Sequence, residues 1–124
     1  MKMRIYYEDT DAGGVVYHSN YLKFCERARS ELFFKKNVDI FDAKSGHFLL
    51  TRANCAFLKS ARLGDIVEVK TQILNFKKAS LVIGQEIFRE KELLFRGEFT
   101  LAFVKNSKPT RIDDALKRLF EELF

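Results

Sequence analysis

The chain has 124 residues, 47% of them apolar and 31% charged, with a net charge of +5, two cysteines and one proline. That length suits a single compact domain over residues 1–124, burying roughly two thirds of its unfolded surface, and is too short for two ordinary domains. No run of about 18 residues lacks charge, which excludes a membrane-spanning helix, and the apolar content excludes a disordered tail.

The opening MKMRIYYED turns acidic before any apolar stretch forms, so it does not read as a signal peptide, and the protein is expected in the cytoplasm. Residues 3–7, MRIYY, suit a short strand that the Asp-rich, Gly13–Gly14 segment ends. From Ser19 the spacing becomes helical. Tyr21, Phe24, Cys25, Ala28 and Leu32 form one stripe, with Lys23, Glu26, Arg27 and Arg29 elsewhere. Ser19 or His18 suits the cap and the end falls near Asn37, which makes about 18 residues and roughly 27 Å.

After a polar connection from Asp42 to Gly46, segments near 48–59, 66–76, 79–90 and 93–105 read as strands of about ten residues, roughly 33 Å each. In DIVEVKTQIL, Val67, Val69, Thr71 and Ile73 alternate with Glu68, Lys70 and Gln72, as one covered and one wetter face require. Short links at Lys77–Lys78 and Glu90–Lys91–Glu92 make hairpins and hence antiparallel pairing. One helix as long as the strands, one strand before it and four after, describes an α+β sheet curled around a central helix. Such a sheet leaves apolar edge exposed, so oligomerisation is expected. Pro109 opens PTRIDDALKRLFEELF, a C-terminal helix with Ile112, Leu116, Leu119, Phe120 and Leu123 on one face. Docking on its own domain is the expectation, and a membrane-surface or partner-binding role the alternative.

Cys25 and Cys55 have no CxxC spacing and no histidine-rich surroundings, so they read as reduced thiols packed as small apolar groups. The scattered Lys and Arg surplus favours an anionic partner without choosing among nucleic acid, phospholipid and a phosphorylated cofactor. Nucleic acid has no supporting motif, and no metal or redox cofactor is implied.

The chemistry gathers at the head of the long helix. Glu8, Asp9 and Asp11 lie close together, and taken alone they read as a favourable acidic loop at a helix N-terminus. Gly13–Gly14 lets the backbone pass close to another group. Behind it the first-turn N–H groups near His18, Ser19 and Asn20 could hold an anion or the oxygen of a polarised carbonyl. A carboxylate opposite that carbonyl would supply nucleophile or general base, which makes a minimal hydrolase for an activated acyl group.

The stretch YYEDTDAGGVVYHSNYLKFCERARSE, residues 6–31, resembles the signature of the hot-dog-fold acyl-CoA thioesterases of the 4-hydroxybenzoyl-CoA thioesterase superfamily, specifically the YbgC-like branch. The resemblance implies an antiparallel five-stranded sheet around a long helix plus a C-terminal helix. It implies dimers joined sheet edge to sheet edge, often dimers of dimers (homotetramers), with active sites at subunit contacts. Coenzyme A enters only as part of the acyl-CoA substrate. In the family motif the second aspartate is catalytic, which puts that role on Asp11. Asp9 is less often essential. The carbonyl-polarising amide matches His18, and His18 and Tyr7 are counted among the active-site residues. The His18 side chain either takes part directly or orients the loop while its amide does the chemistry.

By the resemblance, Lys77 and Lys78 of NFKKASL are candidates to hold the nucleotide phosphates of coenzyme A, a solvated charged hairpin being the alternative, with Lys59 and Arg62 as weaker candidates. His47 reads as an ordinary strand-end residue, and Asn54 as satisfying a backbone group. An acyl carrier protein as partner, and a place in lipid metabolism at the inner face of the cell membrane, are further implications. A non-enzymatic acyl-chain or acyl-carrier-protein binding module on the same fold is the alternative. A dehydratase lacks its second acid, since Glu26 lies about two turns after the histidine.

Overall fold

A computed structural model describes residues 1–37, 41–42 (backbone alone) and 46–124. The 18-residue helix α1, His18–Lys35, buries Tyr21, Phe24, Cys25 and Ala28 as its apolar stripe requires. The strands are β1 (Lys2–Arg4), β2 (Phe41–Asp42), β3 (Gly46–Phe57), β4 (Ile66–Phe76), β5 (Ser80–Arg89), β6 (Glu92–Lys105) and β7 (Lys108–Pro109), and α2 spans Asp114–Leu123. Among the described residues they form one antiparallel sheet in the order β1-β4-β5-β6-β3-β2, with β7 added to β6. The five strands expected are all present. The two others are two-residue pairings too short to leave a periodicity. Residues 43–45 of the expected polar connection lie outside the described residues.

Alternation does its work in β4, where Val67 and Val69 are buried and Lys70, Gln72 and Leu74 face outward. The inner face and α1 make a first core around Phe24, Phe95 and Phe99. A second lies at the far end of the sheet, where Phe120 of α2 meets Phe33 and Phe48 with ring centroids 5.3 and 4.9 Å apart. The C-terminal helix therefore docks on its own domain. It starts later than expected, because Pro109 belongs to β7 and the Asp113 carboxylate caps the helix by accepting from the Leu116 N–H at 2.8 Å.

Arg29 departs from its expected polar face. It is 8% exposed, lies 4.9 Å above the Phe99 ring, and donates at 2.7 Å to Gln85 Oε1 on β5. Gln85, wholly buried, donates in turn to the Cys25 carbonyl and to Thr71 Oγ1, each at 3.0 Å. Opposite Gln85 stands Gly97 of β6, where an added Cβ would lie 2.7 Å from the Phe99 ring and 3.0 Å from that of Phe95. Gly97→Ala should therefore lower stability by about 1–3 kcal/mol through overpacking, read from urea or thermal unfolding. An unchanged midpoint would mean that the two rings move aside at no cost.

Candidate active site

The loop before α1 is pinned at both ends. Thr10 pairs with Val16, so Asp11 and His18, one and two residues beyond that pair, leave from the same place. Asp11 N–H donates to the Val15 carbonyl at 2.9 Å, and Gly14 N–H to the Asp11 carbonyl at 3.0 Å. The two glycines act differently. A Cβ on Gly13 would lie 3.2 Å from Asp11 Oδ1, so Gly13 supplies space beside the carboxylate. Gly14 has φ +78° with open space around it, so it supplies a left-handed turn.

The Asp11 carboxylate is exposed. Its Oδ1 accepts from the Gly13 N–H at 2.8 Å, which leaves Oδ2 unengaged among the described residues. It faces an open hollow of about 360 Å³ lined also by Tyr7, Thr10 and Leu63. Tyr7 stands 82% exposed on the short 3₁₀ turn Tyr7–Asp9. Asp9 turns the other way. It is 9% exposed and its Oδ2 accepts from the Tyr6 N–H at 2.9 Å. Its carbonyl takes the Tyr17 N–H at 3.1 Å and Asn20 Nδ2 at 2.8 Å. Of the two aspartates, then, one holds the loop and the other is presented to solvent.

The helix N-cap is Tyr17, one residue before the expected positions, with no side-chain capping bond and no acid in the first turn. Asn20 N–H is taken by the Tyr17 carbonyl at 2.9 Å. Among the described residues this leaves the N–H groups of His18 and Ser19, and not that of Asn20, without an acceptor at the positive end of an 18-residue helix. The His18 ring is exposed, with its centroid 4.4 Å from that of Tyr17 and 6.0 Å from that of Phe57.

Behind this lies a layer that sequence reading missed. Ala61 N–H donates to the Tyr21 hydroxyl at 3.0 Å, and the Ala61 carbonyl accepts from Val16 N–H at 2.9 Å. Burial raises the Tyr21 phenol above its ordinary value against the opposing Ala61 bond, so it remains a neutral hydroxyl. Asn20 and Tyr21 follow His18 directly, and a polar Asn in the first helical turn was the one signal in the sequence that could have marked this anchoring layer.

The basic candidates separate. Arg62 pairs through its backbone with Val15, and its side chain makes no bond among the described residues. Lys59 is tied to Glu92 at 2.8 Å. Lys77 and Lys78 lie in the β4–β5 hairpin, where the Lys78 carbonyl accepts from the Ile112 N–H ahead of α2. The 11 residues of β4, about 35 Å, separate that hairpin from the end of the sheet that carries Asp11. One chain alone does not bring these lysines to Asp11. Asn54 is exposed on β3 and among the described residues its side chain makes no hydrogen bond, so there it satisfies no backbone group, while His47 sits in β3 opposite Val104.

A curled antiparallel sheet around one long helix is the hot-dog fold of known thioesterases. The thioesterase superfamily pattern matches residues 13–95. The chain is 42% identical to the acyl-CoA thioesterase YbgC of Helicobacter pylori, over 99% of this chain and 97% of that protein. It is 34% identical to the acyl-CoA thioester hydrolase YbgC of an Escherichia coli O6:H1 strain, over 97% and 93%. A crystal structure of a probable thioesterase from Bartonella henselae superposes with a TM-score of 0.84 at 27% identity, covering 91% of this chain and 97% of that one. The chain belongs to the thioesterase superfamily, in its YbgC-like branch, and is a hydrolase.

Neither thiol competes for the role of nucleophile. Burial pushes Cys25 up to about 12, against the pull of Arg29, and raises Cys55 as well. Both therefore stay protonated near neutral pH. In the folded protein at mildly alkaline pH, iodoacetamide should label Cys25 about 10²-fold more slowly than in denaturant, with turnover retained. Fast labelling of native Cys25 with matching loss of turnover would restore a thiol mechanism.

Proposed function

We propose that the chain hydrolyses acyl-CoA thioesters, with Asp11 as nucleophile or general base and the His18 amide polarising the thioester carbonyl. The observation that carries this reading is the exposed Asp11 carboxylate, half-engaged by Gly13, on the same loop closure as the unpartnered His18 N–H. The names of the YbgC relatives supply the substrate class. Tyr7, lining the same hollow, is available to hold the substrate.

A carboxylate is a feeble base toward water, which favours direct attack on the carbonyl carbon. Asp11 Oδ2 bonds to that carbon while the oxygen takes up negative charge against the helix-opening N–H groups. Collapse of the intermediate breaks the C–S bond and releases coenzyme A as a thiolate, which takes a proton from water. The acyl-aspartyl anhydride is then opened by a second water, giving the free acid and restoring Asp11.

The reading includes a homodimer. From Leu49 to Phe57, β3 bonds β6 on one side, and among the described residues β2 pairs with Gly46 and His47 on the other. Leu49, Leu50 and Phe57 are about half exposed along that edge, at 48%, 49% and 50%. Two-fold antiparallel pairing through β3 covers this row and satisfies the edge groups. It also turns the Lys77–Lys78 hairpin of one copy toward the end of the sheet that holds Asp11 in the other. There the two lysines and Arg62 can meet the phosphates of coenzyme A. Two free thiols accord with work in the reducing cytoplasm.

Asp11→Asn removes charge with little change of shape, so turnover should fall by ~10²-fold or more in a folded protein, on acyl-CoA and on a truncated thioester alike. Near-normal turnover would sink the mechanism. No turnover by the wild-type chain across a panel of acyl lengths would favour the binding module. Single turnover in heavy-oxygen water should label Asp11 if the anhydride forms. For the dimer, Leu50→Lys sets like charges along the seam and should shift the mass in sedimentation equilibrium from dimer to monomer. An unchanged mass would place the interface elsewhere.

A further inference from the structure

Residues 11–14 are exposed, so the loop that carries the Asp11 carboxylate has no packing of its own to fix it. Its position comes from hydrogen bonds centred on one residue. Ala61 is wholly buried, its N–H donating to the Tyr21 hydroxyl at 3.0 Å and its carbonyl accepting from the Val16 N–H at 2.9 Å. The adjoining residue Val15 bridges to Arg62 and accepts the Asp11 N–H at 2.9 Å. An unbroken run of bonds thus leads from the first turn of α1 through Ala61 to the backbone of Asp11.

The Tyr21 ring has a different task from its hydroxyl. The ring stacks on Phe95 at 5.4 Å between centroids and meets Phe24 and Phe57 edge-on, contacts that a phenylalanine would make equally well. What the hydroxyl adds is the Ala61 bond. Tyr21 also stands three residues after His18 on the same rigid helix. The turn that offers the carbonyl-polarising N–H therefore also anchors the strut that holds the carboxylate, and both halves of the site share one frame.

We infer that Tyr21 is a positioning residue for thioester hydrolysis, its hydroxyl setting, through Ala61 and Val16, where the Asp11 carboxylate lies relative to the His18 amide. The inference rests on the thioesterase mechanism proposed above. A displacement of about 1 Å between reacting groups lowers rate by about 10²-fold, so a loosened strut should show in kcat. The contacts of Lys77 and Lys78 with coenzyme A, made outside the strut, should be spared.

Tyr21→Phe should lower kcat by about tenfold or more with KM for an acyl-CoA held within about twofold. In an Asp11→Asn background the same change should alter the residual rate by less than about twofold, because the group being positioned is gone. General structural damage would cut both backgrounds equally. Amide hydrogen exchange should show Ala61 and Val16 losing protection while Phe24 and Ala28 keep theirs. If Tyr21→Phe does not fold, an ester in place of the Ser60–Ala61 peptide removes the same bond from the donor side and should reproduce the kcat loss with Tyr21 intact. A folded variant with kcat near wild type, or equal losses in both backgrounds, overturns the inference. Should Asp11→Asn itself turn over normally, the mechanism fails first and the inference falls with it. Low turnover in Asp11→Asn with normal turnover in Tyr21→Phe sinks the inference alone.

Discussion

Everything at the active end depends on how α1 lies on the sheet, and that is set by one buried amide. Gln85 is walled off from water, so its donors and its acceptor must find partners in the protein or cost about 1–3 kcal/mol each. They find the Cys25 carbonyl, Thr71 Oγ1 and the Arg29 guanidinium. Apolar contacts alone would let the helix slide or turn by a fraction of a residue for little energy. Two directional bonds from this side chain to α1, with a third tying it to Thr71 on β4, do not. With α1 held at Cys25 and Arg29, the position of His18, about two turns earlier, follows from helical geometry.

The loop is then hung from that helix by groups of unlike kind. Asp9 is a carboxylate spent on structure, accepting from Tyr6 N–H while its carbonyl receives Tyr17 and Asn20. Asp11, two residues on, is left in solvent with one oxygen unengaged. The link after β3 is held from the other side by Arg89, which donates to Asp65 at 2.7 Å and pairs with Glu92, itself bonded to Lys59. Such partly exposed pairs add little singly. Arranged in a network around Ser60–Asp65, they fix the same link whose Ala61 N–H donates to the Tyr21 hydroxyl and whose Ala61 carbonyl accepts from the Val16 N–H. Rigidity at the site is therefore borrowed from core and network, while the Asp11 carboxylate stays accessible.

The two ends of the sheet divide the labour. Asp11, His18 and the link after β3 gather at one end. At the other, α2 closes an aromatic cluster of Phe33, Phe48, Phe76 and Phe120 and stands beside the Lys77–Lys78 hairpin. Strands about 35 Å long keep these ends apart within one chain. In the proposed dimer, a two-fold seam along β3 would reverse one copy against the other and turn the basic hairpin toward the distant carboxylate.

Read alone, the sequence determined the long helix, the bounds of β4 and the glycine turn before α1, because each rests on local spacing and local conformational preference. Even the two aspartates could be ranked, although only by resemblance. Tertiary structure alone decided that Arg29 is buried, that Asp9 is a structural anchor, that Tyr21 holds Ala61, and that Lys77 and Lys78 lie a full strand away from Asp11. Each of these depends on a partner about 40 to 60 residues distant, or on a direction along the sheet, as with Tyr21 to Ala61 and Arg29 to Gln85, with the exception of Asp9, whose burial comes from the way the loop folds onto the helix start. Helical and strand periodicities report which face of an element turns inward. They carry no information about which polar group waits on the surface it meets.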